Sequence, residues 1–181
     1  GIYHDNPRFA NAFTAVDPTV VSSSKSGGFG TALAQRYTLG LAKNKERSYL
    51  SGTNSRRQIP EARPVFYFYF DLNTTRISPS LWWFNSAASP NEFALLMFKQ
   101  NDDNREMVVA TSNSYSHNIG IDEKQKIEFK YEQVAEGIYK VVPAEPLEKG
   151  EYCFVYTGSV PTTYSNNKVF DFGINVPSSR K

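Results

Sequence analysis

Six consecutive apolar or aromatic residues, Val65-Phe66-Tyr67-Phe68-Tyr69-Phe70, stand between Pro64 and Asp71. A strand sends alternate side chains to opposite faces. Phe66, Phe68 and Phe70 therefore share one face, the expected inter-sheet core, and Val65, Tyr67 and Tyr69 share the other. Both faces are apolar, which predicts a strand covered on both sides.

Shorter patterned segments follow. Phe93 to Lys99 is apolar, Asn101-Asp102-Asp103-Asn104 is a polar turn, and Arg105 to Thr111 returns, so the pattern predicts a hairpin. Ile127, Phe129 and Tyr131 alternate with Glu128, Lys130 and Glu132, which predicts a strand with one wet face. Glu136-Gly137 turns into Ile138 to Val142, Pro143 and Pro146 make a corner, and two apolar strands close the chain, Glu151 to Tyr156 and Val169 to Ile174. Counted from residue 65 this gives seven short strands with turn signals between them. That spacing predicts an all-β fold, an antiparallel immunoglobulin-like β-sandwich over residues 61–181.

The first sixty residues are less regular. Pro7, Pro18, Ser22-Ser23-Ser24 and Gly27-Gly28 read as loop. Tyr37, Leu39 and Leu41 alternate and suggest a strand, although Leu33, Tyr37 and Leu41 also fit helical spacing. Arg47 to Leu50 is its candidate partner. Residues 1–60 are expected to form an N-terminal arm with one or two strands.

Composition agrees with a β protein, because 13 Phe and 11 Tyr favour pleated, half-buried surfaces. The net charge of +2 is small and no Lys/Arg stripe stands out, so nucleic acid is not an expected partner. No apolar run approaches the roughly 20 residues of a spanning helix. The chain begins at Gly1, and a signal peptide removed from an exported precursor would leave such a start. Cys153 is the only cysteine and can form no internal disulfide.

Catalytic patterns are sparse. His4 in the arm and His117 in a loop have no metal-ligand spacing and read as solvated, so no metal or cofactor is expected. Cys153 lies in a core strand and reads as a small buried hydrophobe. A glycosidase would need paired carboxylates, and Asp71, Glu92, Glu106 and Asp171 are the candidates. Asp171 alternates with Phe170 and Phe172, which reads as an ordinary solvent position. Gly27-Gly28-Phe29-Gly30 lacks the Gly-Lys-Ser/Thr of a phosphate loop. Both tryptophans lie in Leu81-Trp82-Trp83-Phe84, whose rings could stack on a sugar, with Asn85, Ser86 and Asn91 near enough to bond its hydroxyls. Alternatively, they fold back as a cap on the sandwich.

In Leu147-Glu148-Lys149-Gly150-Glu151-Tyr152, a Tyr two places after a turn Gly opens a strand. This resembles the tyrosine corner of immunoglobulin-like sandwiches, where the Tyr hydroxyl bonds back to upstream backbone. Arg63 to Phe70, Ser89 to Phe93, Arg105 to Val109, Gly150 to Phe154 and Val169 to Ile174 together resemble an uncharacterised bacterial family of secreted or periplasmic proteins. The resemblance spans residues 60–175. It implies a β-sandwich and export, and brings no activity or site. The expected function is that of a non-enzymatic exported interaction or structural module, with a protein or a cell-surface glycan as partner. The alternatives are a carbohydrate-binding module using Trp82 and Trp83, and a sandwich glycosidase.

Overall fold

The computed structural model describes residues 1–7, 12–26, 44–70, 87–112, 117–119, 121, 123–157 and 168–176. Trp82, Trp83 and Asn85, and the strand expected at 36–41, lie outside them. The described residues form three β-sheets and no α-helix. Almost all pairings are antiparallel.

The first sheet has β1 (Ile2–Asn6), β2 (Ala12–Val16), β7 (Phe66–Tyr69), β13 (Phe129–Ala135) and β14 (Ile138–Pro143), in the order β13-β14-β7-β1-β2. The central sheet has β3 (Pro18–Val20), β8 (Phe93–Met97), β12 (Lys126–Ile127), β15 (Gly150–Tyr156) and β16 (Lys168–Ile174), in the order β12-β8-β15-β16-β3. A short β6 (Gln58–Ile59) pairs parallel with β16. The third sheet has β4 (Ser22–Ser26), β5 (Asn44–Ser51), β10 (Asn104–Ser112) and β11 (His117–Ile119), with β9 (Lys99–Gln100) beside β10.

Two cores separate these layers. Phe66 and Phe68 of β7, with Phe70 just after it, meet Phe93, Phe154 and Phe172 of the central sheet. Leu50 and Met107 of the third sheet meet Leu96, Cys153, Val155 and Val169 on the opposite face of the central one. Among the described residues the central sheet is therefore the one covered on both sides, and every residue of β15 is buried. The sequence pattern places that double cover on β7 instead. There the outward Tyr67 and Tyr69 are only half-buried. Their hydroxyls let rings that look apolar in a one-letter pattern sit at a wet surface.

The aromatic core is packed edge to face. Ring centroids of Phe66 and Phe154 are 5.1 Å apart at 85°, and those of Phe68 and Phe154 are 5.0 Å apart at 90°. Such pairs add about 0.5–1.5 kcal/mol each beyond area burial.

The described residues before position 60 contribute strands to all three sheets. Residues 12–26 run from the first sheet through the central to the third, as β2, β3 and β4, with single-residue links at Asp17 and Val21. Residues 44–69 run the other way, as β5, β6 and β7. Among the described residues, pairing crosses position 60 in every sheet.

Two local expectations also change. The hairpin before Arg105 is made by β9 and β10 alone, while Phe93–Met97 pairs with β15 in another layer. Phe98 makes the switch: its N–H donates to Glu151 O at 2.8 Å and its ring is buried in the second core. Ile127 and Phe129 also fall in different sheets, and β13 is exposed on both faces from Lys130 to Ala135. Ile127 and Phe129 do pack against the first core, with the Phe129 and Phe154 rings 5.8 Å apart, and the core-facing side ends there.

At the corner before β15, Leu147 is buried and the Tyr152 hydroxyl donates to Glu148 O at 2.8 Å. The ring stacks on Phe172 at 5.8 Å and 18°.

Candidate functional site

Alternation along β15 and β16 sends Glu151, Cys153 and Val155, and likewise Val169, Asp171 and Gly173, toward the third sheet. Arg105 of β10 meets the two acids there. Its guanidinium nitrogen Nη1 lies 2.7 Å from Asp171 Oδ2 and 3.4 Å from Glu151 Oε2. Arg105 Nε donates to Gly52 O at 3.1 Å, and the guanidinium lies 5.6 Å from the Phe98 ring centroid. All three side chains are nearly fully buried. Asp171 is thus a buried ion-pair partner and not a solvent position. Its flanking phenylalanines point into the first core, so it points into the second.

The remaining acceptors are also engaged. Thr19 Oγ1 donates to Asp171 Oδ1. Ser55 N–H donates to Glu151 Oε2 at 2.6 Å, and Gln58 Nε2 donates to Glu151 Oε1 at 3.0 Å. Ser55 Oγ donates to the Asp171 carbonyl at 3.0 Å. Thus each carboxylate oxygen holds a donor. A Cβ at Gly173 would collide with the Gln58 amide and with Glu151, so only glycine lets Gln58 cross the strand here.

Two hollows flank this cluster. The larger, about 480 Å³, is lined by Thr19, Asn54, Ser55, Arg57, Arg105 and Asp171, among others. The smaller, about 350 Å³, is walled by Asn54, Gln58, Gln100, Lys149 and Glu151. Both offer hydrogen-bonding walls.

The outer face of the first sheet is aromatic. Tyr3 and Tyr67 are cross-strand partners, Tyr67 faces Lys140, and Lys140 faces Glu132. Tyr3 and Tyr69 form an edge-to-face pair at 5.2 Å, and Phe13 and Tyr67 another at 5.1 Å. Phe13 is 45% exposed.

The other predicted residues scatter. His4 belongs to β1 and is buried beside Phe66, where the arm had been expected to leave it solvated. Its Nε2 lies 3.6 Å from Glu61 Oε2, and burial holds the imidazole below its ordinary value. His117 sits on β11, a strand where a loop was expected. Asp71 is outside the described residues. Glu92 Oε1 accepts from Ala88 N–H at 2.7 Å, and Glu106 pairs with Arg47 and Lys99. Asn91 is exposed on the short 3-10 turn Pro90–Glu92. Cys153 is wholly buried, and burial, with Asp171 adding to it against Arg105, pushes its thiol well up. Such a thiol is a poor nucleophile.

Among the described residues, no group of three or more His, Cys, Asp or Glu could hold a metal ion. None of their helices is long and apolar enough to cross a membrane.

Sequence reasoning missed Arg105, Glu151, Thr19, Ser55 and Gln58. One signal was present: an acid in a strand that is otherwise apolar on both faces. The tyrosine face was legible in the even spacing of Tyr67 and Tyr69, but not its partners Tyr3 and Phe13. Comparison of the sequence with models of known families finds no match, and a search of curated proteins finds none.

Proposed function

We propose that the chain is a non-enzymatic, exported, immunoglobulin-like sandwich module that works by binding another molecule at its surface. The observation that carries this is the engagement of every oxygen of Glu151 and Asp171. An acid or base in turnover must exchange a proton with substrate, and these two carboxylates are already committed to holding the layers together. Glu92 and Glu106 are likewise tied to neighbours. Export rests on the family resemblance of the sequence. Assay against a panel of chromogenic glycosides is expected to give no turnover. Turnover abolished by Glu151→Gln in a folded variant would overturn the proposal in favour of a glycosidase.

A second reading, carbohydrate binding, is favoured by the solvent-facing rings Tyr3, Phe13, Tyr67 and Tyr69. Sugars stack their C–H faces on such rings while nearby polar groups bond the hydroxyls. Asp5 and Lys140 stand beside them. Retention on a polysaccharide panel tests it. Phe13→Ala or Tyr67→Ala should weaken retention about thirty-fold, as loss of an aromatic anchor does. Retention insensitive to both, but lost in Trp82→Ala or Trp83→Ala, would move the contact to the tryptophan segment.

A further inference from the structure

We propose that β13 pairs edge to edge with β13 of a second copy of this chain, antiparallel and centred on Tyr131. The proposal rests on the chain being an interaction module and names its partner.

Among the described residues, β13 ends the first sheet, with β14 on one side and no strand on the other. Half of its backbone hydrogen-bonding groups therefore face outward. Lys130 to Ala135 are exposed on both faces, including Tyr131 at 43% and Val134 at 50%. An exposed edge with apolar side chains is a template for another strand. Its pairing with β14 shifts register between Gln133 and Ala135, which leaves Phe129–Gln133 as the regular stretch on offer.

Charge selects the occupant. A two-fold axis at Tyr131 sets Lys130 opposite Glu132 of the second copy, and Glu132 opposite its Lys130. Opposite charges directly across a strand pair are stabilising, and like charges the reverse. Within one chain Lys140 already lies 3.4 Å from Glu132. The row Lys140, Glu132, then the second copy's Lys130 would alternate in sign across the join. Centring on Lys130 would set Glu128 against Glu132, and centring on Glu132 would run into the irregularity at Val134. Of the registers centred on Lys130, Tyr131 and Glu132, the one at Tyr131 satisfies both charge and geometry, keeps the pairing within the regular stretch Phe129–Gln133, and brings the two exposed Tyr131 rings together.

The contact is short. Stable interfaces bury at least about 1,200 Å², so this association should be weak and visible only at high concentration. Sedimentation velocity on the whole chain, carried to about millimolar protein where weak pairs form, reads it out. Wild type is expected to shift toward dimer with concentration. Lys130→Glu and Glu132→Lys should each remain monomeric at the same concentrations, because each sets like charges across the join. Mixing these two variants restores opposite charges in both pairs and should restore dimer, which a general loss of folding could not do. A monomeric wild type at every concentration would overturn the self-pairing while leaving the module free to bind another partner. Dimerisation indifferent to both substitutions would overturn it also, since the interface would then lie elsewhere.

Discussion

Arg105 Nη1 lies 2.7 Å from Asp171 Oδ2, and this contact joins the third sheet to the middle of the central one. The two residues are 66 positions apart in sequence and both are nearly inaccessible to water. Removing one partner of a buried pair strands the other charge, which costs about 3–5 kcal/mol. Arg105→Leu should lose stability on that scale in urea unfolding. The double variant Arg105→Met/Asp171→Val should lose less than the sum of its singles. A single-variant loss below about 1 kcal/mol would mean the pair is effectively hydrated.

Phe68 is fully buried and meets Phe93 and Phe154 edge to face. Truncation to alanine removes the ring and leaves a cavity, for a loss of about 3–5 kcal/mol. Thermal and denaturant unfolding of Phe68→Ala measure it, and near-wild-type stability would remove that ring from the core.

Tyr152→Phe keeps the stacked ring and deletes only the hydroxyl that bonds Glu148 O. The expected loss is about 0.5–1.5 kcal/mol. Unchanged stability would show that water replaces the bond without cost.

At Gly173 the obstacle is space. A methyl group there would meet the Gln58 amide and Glu151. Gly173→Ala is expected to destabilise by about 1–3 kcal/mol, and Gln58→Ala in the same chain should relieve part of it. A hydrogen-exchange map would locate the loosening at β6 and the adjoining Ser55 loop.

Stability should also fall on acidification through His4. Burial holds its imidazole below the ordinary 6.5, Glu61 pulls it up, Arg57 pushes it down and Asp5 pulls it up again. The unfolded chain therefore takes the proton first as pH drops. The stabilisation from neutral His4 is complete above about 6.5 and declines below it, until the folded state protonates too. His4→Gln should flatten the change in unfolding free energy between about pH 7.5 and about pH 5. An equal slope in both proteins would assign the pH dependence to other groups.

Local pattern by itself determined the strands. The runs at Val65–Phe70, Glu151–Tyr156 and Val169–Ile174, with turn signals at Gly137 and before Gly150, specify an antiparallel β protein. Period-two alternation and turn residues are properties of neighbouring positions. The Tyr152 corner and the burial of Cys153 were legible for the same reason. Only the tertiary structure decided how many layers form and which strand lies between two others. Tyr67 on β7 and Cys153 on β15 both read as apolar in a one-dimensional pattern. What separates them is whether a distant segment, here β5 and β10, covers the second face. The buried charges follow the same rule. Asp171 can leave water only because Arg105, Thr19 and the Glu151 network reach it from remote parts of the chain, and desolvating a charge depends on its partners in space.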